Sequence, residues 1–202
     1  MIKNGNYNEL PSGYRELFHL KLQEDKKTAL IVNIAALVVA SAMVVIPIFM
    51  GVDVFSFLDN GSFEFFIKLI AMLICYGIYI YAHEITHGIF IKIMSGQKAY
   101  YGFTGIYAYA GSDIYFNKRS YTIIALAPLC VFGIILTVLQ LIVPDGWGYV
   151  PYLVQIGNVA GAVGDVYVTI KMLASPKGTI VRDTGINMTF YADECYLKRK
   201  IS

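Results

Sequence analysis

The chain has 202 residues, of which 57% are hydrophobic and only 15% charged, and its formal net charge at pH 7 is +2. A typical soluble domain has about 25% charged residues, so this composition is typical of a membrane protein. The near-neutral charge, without a basic stripe, argues against nucleic-acid binding. The three cysteines have no ligand-like spacing, which argues against a disulfide framework, and Cys75 and Cys130 are interpreted as small packing residues; the third is Cys195.

Four apolar stretches are each near or above the roughly 20 residues that cross a bilayer. They cover residues 29–50, 65–94, 121–143 and 149–174. Pro128 interrupts the third stretch, and a Pro144-Asp145-Gly146 turn joins the third to the fourth. We therefore predict an all-α membrane protein with four transmembrane helices and short cytoplasmic β or irregular segments, formed as a single domain over residues 1–202.

Lys and Arg are concentrated before the first span, between the second and third spans, and in the tail of residues 175–202. The other two loops carry Asp53, Asp59 and Asp145 but no Lys or Arg. The positive-inside rule therefore predicts that both termini of this multi-pass protein lie in the cytoplasm, with the cell membrane as its location. The terminal Lys198-Arg199-Lys200 run is interpreted as a further mark of the cytoplasmic side.

Three segments outside the spans are candidates for extended structure. Residues 17–22 partly alternate between apolar and polar, as expected of a short strand or an interfacial segment. Residues 100–116 are rich in Tyr and Gly and are interpreted as a hairpin or a re-entrant piece on the cytoplasmic side. Residues 179–181 and 188–191 flank an Asp183-Thr184-Gly185 turn, which predicts a small hairpin.

The second span contains His83-Glu84-Ile85-Thr86-His87, an H-E-x-x-H motif. Residues four apart on a helix share a face, so His83 and His87 can present two imidazoles to one zinc ion. Glu84 is then the candidate general base toward a zinc-activated water. Ionisable residues inside a span are costly and are functional candidates by default. The alternative is a polar interhelix hydrogen-bond cluster without metal.

Asp165 in the fourth span is the predicted third ligand, because a catalytic zinc usually takes three protein ligands and no third His or Glu follows His87 closely. At ~1.5 Å per residue, His83 and Asp165 lie about 27 Å and about 22 Å into their spans, which agrees within the error of the span boundaries. Asn158, on the same side of the fourth helix, is the predicted substrate or oxyanion contact. The alternatives are an Asp165 paired with Lys171 or with backbone donors, and an Asn158 that only links helices.

Other singled-out residues are given structural interpretations. The glycines of the fourth span are expected to allow close helix packing. His19 is interpreted as a surface residue. Two aspartates are interpreted as turn residues, and no catalytic role is assigned to them. The glycines are Gly157, Gly161 and Gly164, and the aspartates are Asp113 and Asp183.

With these residues, the chain resembles the site-2-protease class of intramembrane zinc peptidases, and most closely a compact family of membrane proteins called putative zincin peptidases. The resemblance is carried by the H-E-x-x-H motif and by Asn158 with Asp165 in a later span. Further matching elements are Leu10-Pro11-Ser12-Gly13-Tyr14, Pro176-Lys177-Gly178 and Val181-Arg182-Asp183. Site-2 proteases usually carry their aspartate as Leu-Asp-Gly, whereas this chain has Gly164-Asp165-Val166.

The expected function is a zinc-dependent, membrane-embedded endopeptidase with one Zn²⁺ per chain. Its expected partners are the lipid bilayer and a membrane or membrane-proximal protein or peptide substrate, which residues 100–116 could bind by strand addition. Two alternatives stay open. One is a non-enzymatic membrane metal-binding scaffold or accessory protein, and the other is a zinc hydrolase that cleaves a non-peptide bond.

Overall fold

The computed structural model describes residues 1–21, 25–51, 61–105 and 107–194. Four stretches of helix in this part of the chain are long and apolar enough to cross a membrane. Their bounds lie within three residues of the predicted spans, so the prediction of four apolar helices of span length is confirmed. The helices are α1 (Lys26–Phe49), α2 (Ser62–Ser95), α3 (Lys118–Ile142), α4 (Tyr149–Gly161) and α5 (Val163–Ala174). The predictions at Leu22, Asp53, Asp59, Cys195 and Lys198-Arg199-Lys200 lie outside the described residues.

The fourth span consists of two helices rather than one. Ala162 separates α4 from α5 and has φ −75° and ψ −1°. Gly161 and Gly164 flank this residue, and glycines are a common cause of a break in a long helix. The break places Asp165 in the first turn of α5, where the positive end of the helix dipole favours a carboxylate.

The all-α expectation needs a correction, because six strands accompany the helices in the described part of the chain. Four of them form an antiparallel sheet in the order β1-β6-β5-β4, and β2 pairs with β3 in a separate hairpin. The extended segments predicted from the sequence are thus confirmed as strands. The four-stranded sheet, which joins strands from distant parts of the chain, was not predicted. The strands are β1 (Tyr14–Leu20), β2 (Tyr100–Phe103), β3 (Ala108–Gly111), β4 (Tyr115–Asn117), β5 (Ile180–Asp183) and β6 (Met188–Asp193).

One compact unit comprises residues 1–29, 84–127 and 164–202. Its core combines apolar side chains from the sheet, from the second half of α2, and from α3 and α5. Val181 of β5 and Phe190 of β6 are paired residues, and both are fully buried. Phe18 of β1 stacks on Phe190 with 4.3 Å between ring centroids. The sheet therefore supplies one face of the core against which the helical segments pack.

A second compact unit comprises residues 30–83 and 128–163, and its described part is helical. Tyr79, Leu136 and Val154 form its small buried cluster. The turn predicted between the third and fourth spans is present, since Trp147 N–H donates to the Pro144 carbonyl at 3.0 Å. The prediction of a single domain over the whole chain stays a prediction.

The packing predictions for small residues have mixed outcomes. A Cβ on Gly157 would lie 2.3 Å from the Tyr76 ring, so close packing is confirmed there. A Cβ on Gly161 would meet no described atom within 4 Å, so the packing prediction is wrong at that position. It is also wrong for Cys75 and Cys130, which are free and exposed. A helix that crosses a membrane is apolar on all sides. A cysteine among apolar residues of such a helix therefore need not be buried inside the protein.

Candidate metal centre

The three predicted ligands are brought together. His83 and His87 lie one turn apart on α2, which is continuous from Ser62 to Ser95. One ligand atom from each of His83, His87 and Asp165 lies within 4.8 Å of the others. His87 Nε2 is 3.7 Å from Asp165 Oδ2. All three residues are half-buried, and they are close enough to hold a metal ion.

The ring of His87 is oriented by a backbone carbonyl of α3. His87 Nδ1 lies 3.0 Å from the Ile124 carbonyl oxygen. A carbonyl oxygen only accepts hydrogen bonds, so Nδ1 carries the proton and donates it. In the neutral ring this leaves the lone pair on Nε2, the nitrogen that faces Asp165. Metal-binding histidines generally donate their other ring N–H to such a partner.

The ring of His83 is oriented by a side-chain relay. Tyr79, one turn earlier on α2, has its hydroxyl 3.0 Å from His83 Nδ1 and 3.2 Å from Asn158 Oδ1, to which it donates. Because a phenol has one proton, the Tyr79 oxygen accepts from His83 Nδ1–H. The lone pair of His83 is therefore also on Nε2. Tyr79 and Asn158 are buried.

Asn158 uses its whole amide group in contacts within the protein. Its Oδ1 accepts from Tyr79, and its Nδ2 donates to the Leu129 carbonyl at 3.4 Å and to Gln155 Oε1 at 3.3 Å. The interhelix hydrogen bond that was the alternative interpretation of this residue is thus present. Its role as an oxyanion contact stays a prediction.

The donor set fits a zinc ion. It consists of two imidazoles that can each offer Nε2, together with one carboxylate, which matches the three protein ligands of a catalytic zinc site. Each imidazole has a hydrogen-bond partner on its other nitrogen, as expected around a metal. Glu84 follows the first of these histidines on α2 and is half-buried.

Asp183 has an environment that the sequence did not predict. Its Oδ1 accepts from the Gly185 N–H at 2.8 Å, which confirms its role in the turn. Its Oδ2 accepts from the Tyr121 hydroxyl, also at 2.8 Å. Burial raises the pKa of Asp183 despite these bonds, and the charges of His87 and Asp165 act on it in opposite directions. Asp183 is therefore a half-buried carboxyl group in the electrostatic field of His87 and Asp165.

Two of the groups that orient the histidines were missed at the sequence level. Tyr79 precedes His83 by four residues, as His83 precedes His87, so a common helix face was a usable signal. The partner of His87 is a backbone carbonyl, that of Ile124. Because every residue has such a carbonyl, the sequence does not distinguish this one. His19 is exposed, with Nδ1 2.9 Å from Thr189 Oγ1, which confirms it as a surface residue.

These features define a class: a metallopeptidase-type ligand set carried on helices long and apolar enough to cross a membrane. Residues 76–180, just over half of the chain, match the family model described as putative zincin peptidase. The match includes both histidines, Glu84 and Asp165, and the chain belongs to this family. The family description indicates a zinc metallopeptidase. Searches of curated proteins and of solved structures found no match.

Proposed function

We propose that the protein is a zinc-dependent endopeptidase of the cell membrane, with both termini in the cytoplasm and one zinc per chain. Its substrates are membrane or membrane-proximal proteins. The observation that carries the proposal is the convergence of His83, His87 and Asp165 within 4.8 Å, with each histidine donating from Nδ1. The family description supports the same chemistry.

Catalysis is assigned to residues of α2. A zinc ion held by His83, His87 and Asp165 would supply Lewis-acid polarisation of the scissile carbonyl and would acidify the attacking water. Glu84 takes the proton from that water as the oxygen attacks the carbonyl carbon. Glu84 then delivers the proton to the departing amine nitrogen as the C–N bond breaks. The Tyr79 and Ile124 contacts keep both imidazoles in the tautomer that binds through Nε2.

Asn158 is assigned a positioning role ahead of an oxyanion role. To donate to an oxyanion, its Nδ2 would have to leave the Leu129 carbonyl or Gln155 Oε1. Its Oδ1 already holds the Tyr79 hydroxyl that orients His83. These contacts support an effect on the ligand rather than on the substrate.

The β2–β3 hairpin is the proposed site for an extended substrate. Tyr101 of β2 packs against α2 at Gly88, directly after His87, where a Cβ would lie 1.9 Å from the Tyr101 hydroxyl. In the described part of the chain β2 pairs with β3, and we place the substrate strand along the other edge of β2 by strand addition. If deletion of this hairpin leaves cleavage unchanged, this assignment is abandoned.

The experiment that tests the function separates metal binding from turnover. Purified wild type, Glu84→Gln and the control Glu64→Gln, which lies in the first turn of the same helix, are reconstituted in liposomes with a membrane protein extract. New protein termini are identified by mass spectrometry, with and without a zinc chelator. We expect chelator-sensitive cleavage by wild type and Glu64→Gln, and none by Glu84→Gln although it retains zinc. Zinc retention without cleavage by the wild type would favour the scaffold alternative.

A further inference from the structure

Two of the described helices contain a proline beyond their first turn, Pro47 in α1 and Pro128 in α3. Proline has no N–H, and its ring clashes with the carbonyl four residues earlier. That carbonyl therefore loses its usual partner within the helix. The two carbonyls concerned belong to Met43 and Ile124.

Each of these carbonyls accepts a hydrogen bond from a side chain of another helix. The Met43 carbonyl accepts from the hydroxyl of Tyr152 in α4. The Ile124 carbonyl accepts from Nδ1 of His87 in α2. Buried backbone carbonyls are almost always paired, so a carbonyl without its helical partner favours an outside donor. Only the second of these pairs includes a residue of the metal centre.

We propose that Pro128 is a positioning residue of the metal centre, acting through the Ile124 carbonyl on His87. With no N–H at position 128, this carbonyl is reserved for His87 Nδ1–H. The hydrogen bond fixes the tautomer and the ring plane, and so directs Nε2 toward the metal. The inference rests on the zinc site of the proposed function and adds a residue that is not itself a ligand.

The surroundings favour this role. Ile124 is buried, and Pro128 is among the fully buried residues of the chain. Burial limits the access of water that could replace His87 as a donor to the carbonyl. An N–H at position 128 would compete with His87 Nδ1–H for the Ile124 carbonyl oxygen.

The test compares substitutions that differ in the missing N–H. Pro128→Ala restores the N–H, whereas replacement of Pro128 by lactic acid, the ester counterpart of alanine, removes the ring but keeps the N–H absent. Pro47→Ala is the matched control, because it changes the same kind of helix position beside Tyr152. Zinc affinity of the full chain in detergent is measured by competition with a chromophoric chelator.

We expect Pro128→Ala to bind zinc about 10- to 100-fold more weakly, the usual cost of losing an outer partner of a ligand. The lactic acid variant and Pro47→Ala should keep the wild-type affinity. Wild-type affinity in Pro128→Ala would overturn the inference, as would equal weakening by alanine and lactic acid. If Pro128→Ala does not fold, the lactic acid variant keeps the inference falsifiable, since weakened zinc binding there contradicts the role of the absent N–H.

The same measurements distinguish failure of the inference from failure of the proposed function. A wild type that binds zinc with the same affinity as Pro128→Ala overturns the inference and leaves the zinc site standing. A wild type that binds no zinc overturns both. If the wild type binds zinc more tightly than Pro128→Ala does but cleaves no protein, only the peptidase assignment is overturned.

Discussion

The two histidines of the candidate metal centre have different kinds of hydrogen-bond partner. His83 is held by a relay of buried side chains, Tyr79 and Asn158. His87 is held by a backbone carbonyl, that of Ile124. A single side-chain substitution can remove the first support, whereas the second can be altered only through the backbone. The two ligands should therefore differ in how mutations reach them.

The largest effect on zinc binding is expected from Asp165, which lies close to both histidines. Asp165→Ala removes a ligand and leaves two imidazoles, so zinc content should fall from about one per chain to near zero. Asp165→Asn, which keeps the size but loses the charge, should bind more weakly than wild type and better than the alanine variant. Metal content by mass spectrometry checks both, and full zinc in Asp165→Ala would exclude Asp165 as a ligand.

Cutting the relay should have the next largest effect. Tyr79→Phe removes the oxygen that accepts from His83 Nδ1 and leaves Asn158 Oδ1 without its donor. Loss of such a contact typically weakens metal binding about 10- to 100-fold. Tyr76→Phe, three residues earlier on the same helix, is the control and should bind zinc like the wild type. Competition with a chelator gives the zinc affinities. Equal affinities of Tyr79→Phe and Tyr76→Phe would show that the Tyr79 hydroxyl does not support His83 as a ligand.

A smaller effect is expected one step further along the relay. Asn158→Ala leaves the Tyr79–His83 contact in place, so zinc affinity should fall less than in Tyr79→Phe. Because the two residues act through one chain of hydrogen bonds, the double variant should deviate from additivity by about 0.5–3 kcal/mol. Additive losses in the double-mutant cycle would show that Asn158 acts independently of the relay.

The smallest effect is expected on the side of His87 and concerns stability. Burial raises the pKa of Asp183 above 3.8, so the folded chain holds its proton more tightly than the unfolded chain. Protonated Asp183 therefore contributes to the stability of the folded chain. This contribution is complete at pH values below 3.8 and is lost as pH rises through the raised pKa of Asp183. Besides burial, the groups that act on the pKa of Asp183 are the Gly185 N–H, the Tyr121 hydroxyl, His87 and Asp165.

Asp183→Asn should therefore flatten the fall of Tm with rising pH, because amide groups do not titrate. Thermal unfolding in detergent across a pH series measures this slope. A wild type and a variant with parallel pH profiles would show that Asp183 does not contribute to the pH dependence.

Comparison of sequence and structure shows which features could be predicted. The four apolar helices followed from long apolar runs. The candidate ligands followed from spacing and depth, since His83, His87 and Asp165 are rare charged or polar groups in such runs. The break at Ala162 was missed although glycines flank it. The pairing of β1 with β6 joins residues at opposite ends of the chain, and no local pattern specifies such a long-range pairing.

The partners of the ligands were harder to predict than the ligands themselves. Tyr79 is one of several tyrosines in an apolar run, and its hydrogen bond depends on where Asn158 lies in space. Pro128 was noted only as an interruption of a span. Its consequence for the Ile124 carbonyl becomes visible once His87 is placed beside that carbonyl.

The zinc content of the purified wild type, beside His83→Ala and His87→Ala, tests the central claim most directly. Mass spectrometry on detergent-purified protein should give about one zinc per chain for the wild type, and a strongly reduced value for each variant. A wild type without zinc, or histidine variants with the full wild-type content, would contradict a metal centre at His83, His87 and Asp165.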